Sequence, residues 1–147
     1  FQKSAKVKIS LLHNIRTNNL SGNINTAISY IKHQYKNFTH DIFVSILDDD
    51  DEYLPDYIQA CVHEIRKNQK VVAVFSPMTW KTKAESLFHY TKDGVWINYI
   101  KKEMLTPKEF FIRNPGIQGS NIFIKFDILE HIGGFDEKLI STTDRDI

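Results

Sequence analysis

Ile42-Phe43-Val44-Ser45-Ile46-Leu47-Asp48-Asp49-Asp50-Asp51-Glu52-Tyr53 is the stretch whose reading decides the fold. An apolar run of strand length stops at four consecutive aspartates. A continuous apolar run predicts a strand buried on both faces, the form taken by central strands of parallel α/β sheets. In such sheets ligands bind beyond the carboxyl ends of the strands, which is where these carboxylates fall. Held together they repel, one like-charge pair at about 4 Å costing roughly 4 kcal/mol at an effective dielectric near 20. A divalent cation relieves that repulsion, and hard cations such as magnesium take oxygen ligands. Two readings stay open at this point. One is a metal site that holds a phosphate-bearing ligand; the other is a solvated acidic turn that complements the dipole of the next helix.

Upstream, Val7, Ile9 and Leu11 alternate with Lys8 and Ser10, which predicts a half-buried strand over 7–11. Ser21 is expected to cap a helix in which Ile24, Ala27, Ile28, Ile31 and Tyr35 recur at helical spacing. The opening therefore reads strand, helix, strand, the unit that builds a parallel sheet. Downstream, Pro55 suits the first position of a second helix ending near Asn68, with Tyr57, Ile58, Cys61, Val62 and Ile65 as its buried face. A third strand is expected over 71–76, then a short helix over 84–90, a turn at Asp93-Gly94 and a strand over 95–99. Thr106-Pro107-Lys108-Glu109 has the form of a capping box with proline at the first helical position. A strand over 120–125 and a brief helix over 127–132, closed by Gly133-Gly134, complete the pattern. The whole predicts one α/β domain over residues 1–147, with a mostly parallel central sheet flanked by helices.

Composition narrows the function. Apolar residues at 41% and charged residues at 25% give an ordinary globular profile. No apolar run approaches the ~18 residues of a membrane span. The expected location is the cytoplasm, any membrane association being supplied by parts of a parent protein outside this sequence. A net charge of +1 gives no electrostatic support for a nucleic-acid partner. Cys61 is the single cysteine, which excludes intrachain disulfides and cysteine-rich zinc sites. An EF-hand is excluded because Tyr53 would stand where that loop needs glycine. No phosphate-gripping glycine loop is present, which argues against a phosphoryl or nucleotidyl transferase.

Two further stretches carry candidate chemistry. Asp144 and Asp146 form a second acidic cluster far from the first, and could supply a general base worth roughly 10²–10⁴-fold in rate. On the residues alone, a helix cap at Asp144 and a first-turn carboxylate at Asp146 is the simpler reading. Gly116-Ile117-Gln118-Gly119-Ser120-Asn121 offers backbone amides and small side chains just before a strand, where a ligand can approach the backbone closely; an ordinary loop is the other reading.

In order along the chain, three pieces resemble glycosyltransferase family 2, enzymes of GT-A fold that use nucleotide-sugar donors. They are Ile46-Leu47-Asp48-Asp49-Asp50-Asp51-Glu52-Tyr53-Leu54-Pro55-Asp56, then Pro115-Gly116-Ile117-Gln118-Gly119-Ser120-Asn121-Ile122-Phe123, then Ile132-Gly133-Gly134-Phe135-Asp136-Glu137 followed by Thr143-Asp144-Arg145-Asp146. The resemblance implies a GT-A-like nucleotide-diphospho-sugar transferase, dependent on Mn2+ or Mg2+. It would invert configuration as it moves a sugar to a hydroxyl acceptor such as a saccharide. Asp48 and Asp50 match the outer positions of the family's Asp-x-Asp motif. That implies Asp50, with Asp48, as metal ligands and Asp48 or Asp49 at the donor's ribose, in a register that four aspartates leave open by one position. Asp144 matches the catalytic base, and Gly119, Ser120 and Asn121 the region of donor sugar or acceptor. Asn25 matches half of an arginine–asparagine pair on the nucleotide side, although Ile24 stands where the arginine would be. The family's usual first strand, with its proline–threonine motif, is not found before Lys6. The chain is therefore expected to be an internal fragment of weak or no activity, prone to pair as a homodimer through exposed sheet edge. A non-catalytic module binding metal or sugar nucleotide on the same fold is the alternative, and it would not need Asp144.

Overall fold

The computed structural model describes residues 7–81, 95–98, 106–112 and 116–139. Its elements run α1 (Leu20–Gln34), β1 (Phe43–Ser45), α2 (Tyr57–Lys67), β2 (Ala73–Phe75), β3 (Met78–Lys81), β4 (Val95–Asn98), α3 (Pro107–Ile112), β5 (Ile122–Lys125) and α4 (Phe126–His131), with a 3-10 turn at Gly119–Asn121. The expected helix over 84–90, the turn at Asp93-Gly94 and the acidic cluster of Asp144 and Asp146 lie outside the described residues.

Three strands form a sheet in the order β1-β5-β2, and β5 is antiparallel to both neighbours. The mostly parallel sheet that was expected is not confirmed among the described residues. β1 and β2 do run the same way, joined through α2 as a strand–helix–strand unit, but β5 is inserted between them. Every pairing among the described residues is therefore antiparallel. Of these three described strands the central one is β5 and not β1. Ile122, Phe123 and Ile124 are buried, whereas Phe43, Val44 and Ser45 are half-buried.

Alternation along these strands sorts the core into two layers. Val44, Ile124 and Ala73 sit side by side across the sheet. With Ile122 and Ile46 they pack against Ile24, Ile28 and Ile31 of α1 and Leu129 of α4. The neighbouring row, Ser45, Phe123 and Val74, faces the other way. There Phe123 packs with Cys61 and Ile65 of α2, and its ring stacks on Phe43 at 5.3 Å. The result is a sheet between helical layers, as expected of an α/β chain. Leu129 at 0% exposure marks the centre of the larger cluster, and burial of such a side chain stabilises by about 1.5–3 kcal/mol.

Several local expectations shift. Residues 7–11 pair with no strand among the described residues, and Val7, Ile9 and Leu11 are 85%, 90% and 91% exposed. Alternation makes a strand only where a neighbour takes up its hydrogen bonds, and none is described there. α1 is capped by Asn19, whose side chain accepts from the Gly22 amide at 2.8 Å, and not by Ser21, which is buried in the first turn. α2 begins at Tyr57, so Pro55 lies in the turn before the helix, but it ends at Asn68 as expected. β4 takes the place of the strand expected over 95–99, and its partner β3 was not foreseen. The Thr106 hydroxyl accepts from the Glu109 amide at 3.3 Å at the start of α3, as the capping pattern requires. α4 is closed by Gly133 and Gly134, at φ +88° and +78°.

Candidate active site at the acidic strand end

Beyond Ser45 the chain leaves the sheet and folds back on itself. The Tyr53 hydroxyl donates to the Ile46 carbonyl. Ser45 Oγ lies 2.7 Å from the Tyr53 hydroxyl, 3.4 Å from the Tyr57 hydroxyl and 3.1 Å from the Ile122 carbonyl oxygen. The two tyrosine rings stack at 4.2 Å. Residues 48–51 form a turn on this support, the Asp51 amide donating to the Asp48 carbonyl at 3.2 Å. Asp48 is half-buried, while Asp49, Asp50 and Asp51 are exposed.

The structure brings Asp48 together with two of the glycine-loop residues. The Asp48 amide donates to Ser120 Oγ at 3.0 Å. A Cβ built on Gly119 would stand 3.7 Å from both carboxylate oxygens of Asp48 and 3.5 Å from Ile46. Anything larger than alanine would therefore fill the space over that carboxylate. Burial pushes the Asp48 carboxyl above its usual range, and the charges of Asp51, Asp50 and Asp49 push the same way, against a hydrogen bond from Ser120. Negative charge is concentrated here, and the ion pairs of the described residues, Arg16–Glu137, Lys32–Glu130 and Lys67–Glu64, lie elsewhere.

No three His, Cys, Asp or Glu side chains converge into a metal cluster among the described residues. The donor set at the turn is all carboxylate oxygen, with one half-buried member and exposed neighbours. That fits magnesium or manganese held by one or two carboxylates together with phosphate oxygens of a substrate, and does not fit a cage made by the protein alone.

Asn121 stands next to this group, but its side chain is used inside the fold. At 1% exposure, it accepts from the Gln118 amide at 2.9 Å and donates to the carbonyls of Ser76 and Gly116 at 3.1 and 3.0 Å. It thereby ties the glycine loop to the end of β2. Asn25 does the same at the other side of the sheet. Its amide donates to the Phe135 carbonyl at 2.8 Å and to Glu137 Oε1 at 3.0 Å, and its carbonyl accepts from the Phe135 amide at 2.9 Å. Gly134 is held so close that a Cβ there would come within 2.4 Å of Asn25 Oδ1. Asp144 lies outside the described residues.

Glu137 is the residue that the sequence reading quoted without giving it a role. Its carboxylate pairs with Arg16 at 3.0 Å, accepts from the Thr17 amide at 3.1 Å and accepts from Asn25, while Asn19 donates to its carbonyl at 2.8 Å. Hydrogen bonds from Asn25 and Thr17, with Arg16 adding to them, bring its pKa from 4.5 down to about 2. A carboxyl depressed in this way stabilises the fold above pH 4.5, and the contribution is lost as pH falls towards 2. Glu137→Gln should therefore flatten the dependence of melting temperature on pH in that window, read by circular dichroism. An unchanged slope between pH 4.5 and 2 would remove Glu137 as the source of the acid lability.

Comparison with known proteins bears on this geometry. The profile described as Glycosyl transferase family 2 matches residues 1–133. The chain belongs to glycosyltransferase family 2. No curated protein matches the chain significantly, and no solved structure does. Membership of family 2 implies the GT-A nucleotide-sugar transferase fold and, in general terms, a nucleotide-sugar donor and an acceptor. No described helix is long and apolar enough to cross a membrane.

Proposed function

We propose that this chain is the transferase domain of a metal-dependent, inverting enzyme that moves a sugar from a nucleotide-diphosphate sugar to a hydroxyl of a saccharide acceptor. The observation that carries this reading is the meeting of Asp48 with Gly119 and Ser120 at the end of β1, in a chain of family 2. Asp50, with Asp48, would hold Mn2+ or Mg2+, and Asp48 or Asp49 would take the donor's ribose. When bound there, the cation would supply Lewis-acid neutralisation of the diphosphate's charge. Ser120 fixes the acidic turn through the Asp48 amide, and Gly119 keeps the space over the carboxylate open for the donor. Asp144 removes the proton from the acceptor hydroxyl as its oxygen attacks the anomeric carbon on the face opposite the diphosphate. The new glycosidic bond forms as the bond to the diphosphate breaks, so configuration inverts. Asn25 and Asn121 act by holding the loops at either side, since their side chains are engaged within the fold.

The donor set predicts how the metal binds. Two carboxylates, with no further protein ligand among the described residues, should take Mn2+ weakly alone, and at least about tenfold more tightly once a nucleoside diphosphate supplies phosphate oxygens. Calorimetric titration of Mn2+ with and without nucleoside diphosphate, followed by turnover with a panel of nucleotide sugars, tests the reading. Nucleoside diphosphate binding that is indifferent to Mn2+ would overturn it.

A further inference from the structure

Next to the acidic turn, between the start of α2 and the end of β2, lies a cavity of about 360 Å³. That is within the range of small-ligand pockets. Its wall includes Ser120, whose hydroxyl also meets the Asp48 amide, so the cavity opens beside the proposed donor site. Tyr53 and Tyr57 line it as a stacked pair whose hydroxyls are engaged with Ser45 and the Ile46 carbonyl. What these residues offer a ligand is therefore ring surface, and Leu54, Pro77 and Met78 add apolar surface. The charged residues of the wall, among those described, are Asp51, Glu52 and Asp56, all acidic.

We infer that this cavity receives the acceptor sugar, and that it selects a sugar without acidic groups, neutral or amine-bearing, over a uronate or a phosphorylated sugar. The inference rests on the transferase reading above. Ring and aliphatic surface packs against the C–H face of a pyranose, and a few polar groups in an apolar cavity fix orientation. Carboxylates at the rim accept hydrogen bonds from hydroxyl or ammonium groups and repel a carboxylate or phosphate, so the same residues attract one class and reject the other. Proximity to Ser120 puts the bound hydroxyl at the edge of the site where the sugar is released from the donor.

The test uses the whole chain and saturation-transfer NMR with the methyl glycosides of glucose, glucosamine and glucuronic acid. The glucoside and glucosaminide should bind at least about tenfold more tightly than the glucuronide. Asp56 is exposed and makes no side-chain cap bond at the start of α2, so Asp56→Lys should fold normally and raise the relative affinity for the glucuronide several-fold. Met78→Trp, which fills the cavity, should abolish binding of all three; if it does not fold, Asp56→Lys decides alone. A glucuronide that binds as well as the glucoside, or a preference that Asp56→Lys leaves unmoved, overturns the inference. Titration of the unmodified chain with Mn2+ and nucleoside diphosphate separates the two failures. If it binds while the glycosides fail, the cavity assignment falls and the transferase reading stands. If it does not bind, the transferase reading falls and the acceptor assignment falls with it.

Discussion

In the whole protein Asp50→Asn should lower kcat/KM by at least about 100-fold, while in the metal-free chain it should slightly raise stability. The first effect follows from the cation's work on the leaving diphosphate, several kcal/mol of charge stabilisation at roughly 1.4 kcal/mol per tenfold in rate. The second follows from the repulsion at the turn. The charge of Asp50 helps to raise the Asp48 carboxyl, and that cost is present whenever no cation balances it. Because Asp49, Asp50 and Asp51 are exposed, water screens them, and relief of the repulsion should amount to about 0.2–1 kcal/mol. A residue with a purely structural role would lower activity and stability together, so opposite signs are the signature of a metal ligand. Urea unfolding without metal and initial rates with Mn2+ give the two readings. Asp49→Asn, measured beside it, resolves the register: it should weaken the donor while turnover keeps its dependence on Mn2+. Asp50→Asn with unchanged turnover would sink the assignment.

The elements that position this turn were legible for a physical reason. An apolar run ending in four aspartates has few structural homes, and the helical spacing of Ile24, Ile28 and Ile31 fixed which face of α1 is buried. Pairing order was not legible, because Phe43-Val44-Ser45 and Ile122-Phe123-Ile124 both read as strands and nothing local says which lies between neighbours. Which of them is central depends on how β5 enters the sheet from far along the chain. Residues 7–11 show the converse, a clean alternation with no described partner to pair with. The capping choice between Asn19 and Ser21 is local, yet both are good capping types, and hydrogen bonding to the Gly22 amide decides for Asn19. At the site, Asp48 and Ser120 were each singled out, and the fold adds their contact. The clamp of Asn25, Arg16 and Thr17 on Phe135 and Glu137 was invisible, because its partners lie more than a hundred positions apart and no local pattern encodes such a bond. Polar type alone did not separate Asn25 as a loop holder from Asn25 as a donor contact.

Asp144→Asn should lower kcat by about 10²–10⁴-fold with little change in the binding of donor or Mn2+. A general base acts on the proton only as the acceptor oxygen attacks, so its removal is felt in the transition state and not in the ground-state complex. The pH profile supplies an independent reading. A carboxyl must be ionised to accept a proton, so the unmodified protein should lose rate as the solution is made acidic. The asparagine variant should lose this acid limb. Asp146→Asn, as a control, should change kcat far less, because the resemblance matches the base to Asp144 and not to Asp146. Glu137→Gln should fall between them. Glu137 anchors the chain shortly before Asp144 to the segment around Arg16 and to α1, so loosening it should lower kcat through the position of the base while the acid limb is kept. The contrast between a lost limb and a kept one separates the residue that moves the proton from the residue that holds it in place. Binding of the donor needs neither effect. If Asp144→Asn in the whole protein turns over as the unmodified protein does, with its acid limb intact, the base has been misassigned; if the whole protein turns over no nucleotide sugar at all while metal and nucleoside diphosphate still bind, it is a binding module on a transferase fold.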